Sequence, residues 1–312
     1  MGSAIATDGA LHPVLWPDGA PAVPLTAPAG SIDSAAQVIN DTGELAGMAA
    51  TEEIPSLPLR WSVAGEVSEM KTLGGAFSLV QDMNASGVAV GTSATEQGTT
   101  HAVRWHTDGS VTDLGTLRTD ESSTAFGIND DGVIVGQSGP GDLTGRAVRW
   151  DTDGTVRELS LPPGTVSAAA HAINGAGVIV GESTSKKSDD SDFPDPDGHA
   201  VRWNTNGTAT ILRTLGGAHA TAQDINDSGV TVGSAQHSDG TVRAVRWTAD
   251  GTPTDLGLLP GDVKSRAYAI NDAGVIVGES ITADEELHAV LWHPDGTMIE
   301  LNGTAADTSP SQ

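Results

Sequence analysis

Seven tryptophans stand in near-register along the chain: Trp16, Trp61, Trp105, Trp150, Trp203, Trp247 and Trp292. Their intervals are 44 or 45 residues, apart from one of 53 before Trp203. A period in this range marks a stacked supersecondary unit such as a propeller blade. One repeat length reads HTDG, SVTDLGTL, STAFGINDDGVIVGQS, a loop and RAVRW, which holds four short runs rich in Val and Ile. Tight turns join two pairs of these runs: Asn-Asp-Asp-Gly at 129–132 and His-Thr-Asp-Gly at 106–109. An Asp-Gly or Ser-Gly pair between β-prone runs signals a hairpin, because glycine supplies the positive φ. The Asn-x-x-Gly turn recurs at 40–43, 84–87, 174–177, 226–229 and 271–274.

Four antiparallel strands repeated around a ring leave only short edges, the propeller solution. A solenoid needs end caps, and neither terminus resembles one. The expected fold is therefore all-β, a single β-propeller over residues 1–312, with an acidic insertion at 184–198 and a disordered tail at 303–312. Within each blade the Ala-x-x-Ile-Asn run is innermost, followed by Val-Ile-Val-Gly, Ala-Val-Arg-Trp and Val-x-Asp-Leu. The stretch after the fourth run keeps a nearly constant length, as an interblade crossing should. Six complete blades begin near Ser34, and the hairpin around Trp16 is then surplus. The alternative is seven blades, the last built from both termini and lacking one hairpin.

The pattern Leu-Gly-Gly, Ala-x-x-Ile-Asn-Asp-x-Gly-Val-x-Val-Gly, His-Ala-Val-x-Trp resembles the bacterial HAF repeat across essentially the whole chain. The clearest matches are Leu73, Gly74 and Gly75 with 84–91 and 101–105, and Leu215, Gly216 and Gly217 with 226–233. The chain departs where that family has an aromatic after His-Ala, with Val103, Val201 and Val290. HAF-repeat proteins are often described as extracellular and mostly lack an assigned activity, so the resemblance implies architecture rather than chemistry.

Composition excludes several classes. With 41 acidic and 15 basic residues the net charge is −26, a surface that repels nucleic acid and anionic membranes. Without cysteine there is no disulfide, thiolate catalysis or Cys-ligated zinc. Residues 1–16 show no signal-peptide pattern, so the chain reads as cytoplasmic as given, or secreted if a leader has been removed. No apolar stretch is long enough to span a membrane.

The repeat provides an internal control: a residue present in every blade belongs to the blade. One Trp per blade is a packing knob. Arg60, Arg104, Arg149 and Arg246 each have an acid nine positions on (Glu69, Asp113, Glu158, Asp255), which predicts cross-strand ion pairs. The Asn-Asp pairs are turn chemistry.

What remains gathers at one end of the blades, the top face, where both longer connections open. Phe77, Phe126, Phe193 and Tyr268 are all the Phe and Tyr of the chain, and all map there. Three residues before each Asn stand Gln37, Gln81, Phe126, His171, Gln223 and Tyr268; seven before it stand Asp33, Phe77, Ser122, Ser167, His219 and Lys264. These two variable rings make a binding surface on a fixed scaffold. The acid–base candidates are His171, His219, Asp33, Asp120 and Glu121. Arg266 and Lys264 are candidates to hold a carboxylate or phosphate. The insertion offers Asp190, Asp192, Asp195 and Asp197 as calcium ligands, but Phe193 falls where an EF-hand needs its first oxygen. A flexible acidic lid is the plainer reading, and no cofactor is expected. There is no phosphate loop, HExxH or nucleophile elbow.

Two functions follow. One is an enzyme performing non-redox acid/base chemistry on a small, partly aromatic substrate: a condensation, a cyclisation of Pictet–Spengler type, or a lyase step. The strictosidine synthases, six-bladed propellers, do such a condensation, an analogy of fold alone. The other is a non-catalytic binder of ligand, glycan or protein. A lectin-like propeller repeats its binding residues, whereas these rings differ blade by blade. A structural repeat protein with no pocket is the third alternative.

Overall fold

Each Val- and Ile-rich run is a strand in the computed structural model, which describes residues 2–5, 11–15, 23–118, 120–139, 145–185 and 198–301. Six four-stranded antiparallel blades make the fold a six-bladed β-propeller. The blades span 31–69, 74–115, 122–158, 165–211, 216–255 and 264–300. In blade 4, for example, Thr165–Ile173, Ile179–Ser185, Gly198–Trp203 and Ala209–Ile211 pair in sequence order. This order puts the second-to-third-strand loop and the interblade crossing at the same end of each blade. The insertion at 186–197, with Phe193 and its aspartates, lies outside the described residues, as do Trp16 and 302–312.

The chain divides between Gly132 and Val133 into two compact units. The first holds blades 1 and 2, the first strand of blade 3, and a three-stranded sheet of Gly2–Ile5, Leu11–Leu15 and Val23–Pro24. That sheet contains the surplus hairpin. It stands to blade 1 as blade 1 stands to blade 2. Trp61 Nε1 donates to the Thr26 carbonyl at 2.6 Å, and Trp105 Nε1 to the Lys71 carbonyl at 2.8 Å. Leu25 joins Ala36, Leu45, Leu59 and Trp61 in one buried cluster. The second unit holds the rest of blade 3 and blades 4 to 6.

The described core clusters lie between successive blades. Val180 and Ala200 of blade 4 pack on Ala220, Ala222, Ile225 and Trp247 of blade 5. Val232 and Ala244 of blade 5 pack on Ala267, Ile270, Ile276 and Trp292 of blade 6. Six tryptophans, from Trp61 to Trp292, are fully buried knobs. The turn asparagines fasten the same contacts. Asn40 Nδ2 donates to the Asn84 carbonyl and Asn84 Nδ2 to that of Asn129; in the second unit Asn174 reaches Asn226, and Asn226 reaches Asn271. Each Oδ1 accepts the backbone N–H four residues on, closing its own turn.

Blade 6 breaks this pattern on its leading face. Val277 is 39% exposed, where its equivalents Val90, Val135, Val180 and Val232 are 0% exposed. Ala289 and Asn271 are exposed too, although Ala200, Ala244 and the other turn asparagines are buried.

The register works against the expected Arg–acid ion pairs. The register sets Leu59 opposite Glu69, Val103 opposite Asp113, Val148 opposite Glu158 and Val245 opposite Asp255. Each arginine is therefore one residue out of step with its acid and projects from the other face of the sheet. Arg60 and Arg202 instead reach the Asn-x-x-Gly turn of the next blade, donating to the carbonyls of Gly87 and Gly229. Asp113 takes His101 at 2.9 Å, and Arg149 pairs with Asp151.

Candidate functional site

One backbone device recurs in each first strand whose register is described. Pairing with the second strand slips between Ala36 and Val38, Val80 and Asp82, Ala170 and Ala172, Ala222 and Asp224, and Ala267 and Ala269. The residue left over in each slip is Gln37, Gln81, His171, Gln223 or Tyr268. These are the residues three before each Asn, and Phe126 holds the same sequence position in blade 3. A β-bulge takes a residue out of the ladder and re-aims its side chain, and bulges concentrate beside active sites. A glycine repeated from blade to blade permits it. A Cβ on Gly47, Gly91, Gly181, Gly233 or Gly278 would stand 1.9–2.0 Å from a first-strand carbonyl oxygen. The Val-Gly step of the repeat is thus the partner of the bulge.

In the first unit, Gln37 and Gln81 are half-buried bulge residues and Phe77 is exposed. Gln37 Oε1 is buried without a hydrogen-bond partner among the described residues. Such an orphan calls for a ligand or a water. Asp33 and Asp120 are half-buried, and Glu121 is exposed on the crossing into blade 3.

The second unit brings more together. His171 Nδ1 lies 2.9 Å from the Ala222 carbonyl oxygen. A carbonyl only accepts, so Nδ1 carries a proton. Nε2 lies 3.9 Å from Glu182 Oε1, and Glu182 Oε2 accepts the Thr221 hydroxyl at 3.2 Å. In blade 6, Arg266 Nη1 holds Glu279 Oε1 at 2.9 Å, and the Tyr268 hydroxyl bonds to both. Burial first, then the Glu279 carboxylate, pushes the Tyr268 phenol up to about 12. Partial burial works against the Arg266 charge, yet its bonds to Glu279 and Tyr268 outweigh that and raise its pKa. Tyr268 is thus a fixed hydrogen-bond donor at neutral pH rather than a proton source.

Glu182 and Glu279 were not among the sequence candidates, because they directly follow the Val-x-Val-Gly scaffold run. A signal did exist: the residue after that glycine varies, as Met48, Thr92, Gln137, Glu182, Ser234 and Glu279. The ring seven before each Asn does not hold together. Ser167 is buried against Thr184, and Lys264 is drawn outward into an ion pair with Glu285 at 2.7 Å. Lys264 and Arg266 are therefore occupied by acids, not poised for a carboxylate or phosphate as expected. His219 Nδ1 is buried and has no partner among the described residues. Asp224 shows that a raised pKa alone does not mark a site. Burial pushes its carboxyl up, but its oxygens accept the N–H groups of Ile225 and Ile270, so it staples blade 5 to blade 6.

No group of three or more His, Asp or Glu that could hold a metal ion occurs among the described residues. The family described as "Protein of unknown function (DUF3466)" matches residues 163–287, less than half of the chain. No curated protein sequence matches. Among solved structures, virginiamycin B lyase from Staphylococcus aureus is similar at 15% identity and TM-score 0.53, covering 89% of this chain and 86% of the lyase. The β-propeller domain of the Trilobed protease from Pyrococcus furiosus is similar at 13% identity and TM-score 0.58, covering 90% and 85%. TolB from Acinetobacter baumannii follows at 12% and 0.54, covering 82% of this chain and 62% of TolB. At these identities the likeness is one of fold.

Proposed function

We propose that the bulge residues of blades 4 to 6 carry a small-molecule site, and that the chain performs cofactor-independent acid/base chemistry there on a partly aromatic substrate. One observation carries the reading: the residues that the backbone takes out of the ladder vary between blades, as Gln37, Gln81 and Gln223 against His171 and Tyr268. A packing role favours repetition, as with the tryptophans, whereas a single asymmetric ligand favours variation. In blades 4 to 6 the roles divide by chemistry. His171, its tautomer set by Ala222, accepts a proton at Nε2, and Glu182 stabilises the imidazolium that results. Tyr268, whose one proton goes to Glu279, offers its exposed ring to the aromatic part of the substrate. Condensation, cyclisation and lyase steps all need such a proton acceptor beside a bound substrate. The repeat pattern supports counting the chain with the HAF-repeat proteins.

The test is a thermal-shift screen of small metabolites against wild type, His171→Ala and Tyr268→Ala. A ligand at 100 times its Kd raises stability by about 2.7 kcal/mol, an easily read shift. Stabilisation lost in both variants supports the site. Stabilisation that persists in both, or a response to glycans alone, overturns it. Binding without turnover assigns the non-catalytic alternative.

A further inference from the structure

The leading face of blade 6 differs from those of the other blades in composition as well as in exposure. On the third strand, the residue before the tryptophan is Arg60, Arg104, Arg149, Arg202 or Arg246 in blades 1 to 5, and Leu291 in blade 6. Opposite it on the fourth strand stand Ser68, Thr112, Arg157, Thr210 and Thr254, and in blade 6 Ile299. Arg60 and Arg202 use this position to donate to a turn carbonyl of the next blade, which a leucine cannot do. Strand alternation sets Leu287, Ala289 and Leu291 on one face, with Val277, Ile299 and Leu301 beside them. Leu287, Ile299 and Leu301 are exposed, whereas Met70 and Leu212, which stand where Leu301 does in their own blades, are buried.

This face continues the series of interblade contacts, but it is drier in composition than any of them. Four strands about 4.8 Å apart, each contributing about five residues at about 3.3 Å, give it roughly 300 Å². A contiguous apolar patch of that size marks an interaction site, and a contact that small belongs to weak associations. At its inner end Arg266 and Glu279 hold each other at 2.9 Å and leave no net charge there, in a chain of net charge −26. A cationic partner is drawn to the acidic surface rather than to this face. A second copy is repelled by that surface and meets here a neutral, apolar face that matches its own. We propose that the leading face of blade 6 is a self-association surface, where two copies of this chain pack face to face about a two-fold axis. Such a contact is closed, so it stops at the dimer.

The experiment is sedimentation equilibrium of the full chain over a wide concentration range, at low and high salt. The wild type is compared with the double variant Leu291→Arg, Ile299→Thr, which installs residues that other blades carry at these positions. Val166→Thr, an exposed apolar residue of blade 4, is the control. The expected result is a mass that rises with concentration to twice the monomer and no further. Salt should tighten the dimer, because it screens the repulsion between two acidic chains. The double variant should stay monomeric with an unchanged melting temperature, and Val166→Thr should dimerise as the wild type does. A wild type that stays monomeric up to about 1 mM, a free energy of association weaker than about 4 kcal/mol, overturns the proposal. So does a dimer that survives the double variant or is lost equally in Val166→Thr, or a mass that climbs past two copies. A dilute double variant that melts several degrees lower also overturns it, since the face is then covered by residues of its own chain.

Discussion

Gly181→Ala tests the backbone device that positions His171. Gly181 does not occupy a left-handed conformation, so the substitution acts through space alone. The new Cβ would stand 2.0 Å from the Ala169 carbonyl oxygen and 3.0 Å from Ala170 Cα. Ordinary C···O approach stops near about 3.3 Å, so the first strand must retreat by over ~1 Å. That breaks the ladder beside the bulge, where Gly181 pairs with Ala170. Two backbone hydrogen bonds at about 1 kcal/mol each and an overpacking cost of about 1–3 kcal/mol give a loss of about 3–5 kcal/mol. Gly207→Ala is the control. Gly207 has φ +82 and open space around it, so alanine there costs about 1–2 kcal/mol for the left-handed backbone. Urea denaturation of both variants reads the difference directly. If Gly181→Ala is no more destabilising than Gly207→Ala, the close approach and the bulge built on it are wrong.

Three further predictions follow from particular side chains. Val232→Ala removes two fully buried methyls and should cost about 2 kcal/mol, while Val277→Ala, on the exposed face of blade 6, should cost less than half as much; urea midpoints of the pair decide it. Tyr268 is the only tyrosine, so absorbance at alkaline pH reports it alone; the native midpoint should lie near 12, fall on unfolding in urea, and fall in Glu279→Gln. His288 Nδ1 sits 3.1 Å from Asp262 Oδ2, which raises the histidine pKa, while the bonds from Ser280 and His288 overcome burial to lower that of Asp262. The histidine's share of stability is complete below its unfolded pKa and is lost as pH rises through the folded value. The aspartate's share is present above its unfolded pKa and is lost as pH falls through the folded one. The pair is thus strongest between the two, and His288→Gln should flatten the decline in melting temperature above about pH 6.5.

Much of this was legible in the sequence, because a repeat exposes its own rules. The tryptophan spacing and the Asn-x-x-Gly turns announced four-stranded blades, and the variable position three before each Asn proved to be the bulge. Registers were harder to read. The nine-residue spacing from Arg104 to Asp113 looked like a diagonal pair, but the hairpin sets Thr112 opposite Arg104 and turns the acid to the other face. Glu182 and Glu279 were hidden because a run shared by every blade draws attention away from its one variable position. The engagement of Lys264 by Glu285 depends on a contact 21 residues away, which no local pattern encodes.

The most direct test of the site is an NMR titration of the histidine ring nitrogens with a ligand found by thermal shift. The chain has nine histidines, and His101, His106, His237 and His293 stand outside the bulge positions as internal controls. In the ligand-free protein His171 should carry a proton on Nδ1, and its Nε2 resonance should move on binding while the controls stay still. A His171 resonance that does not respond, with shifts at the controls instead, would contradict it.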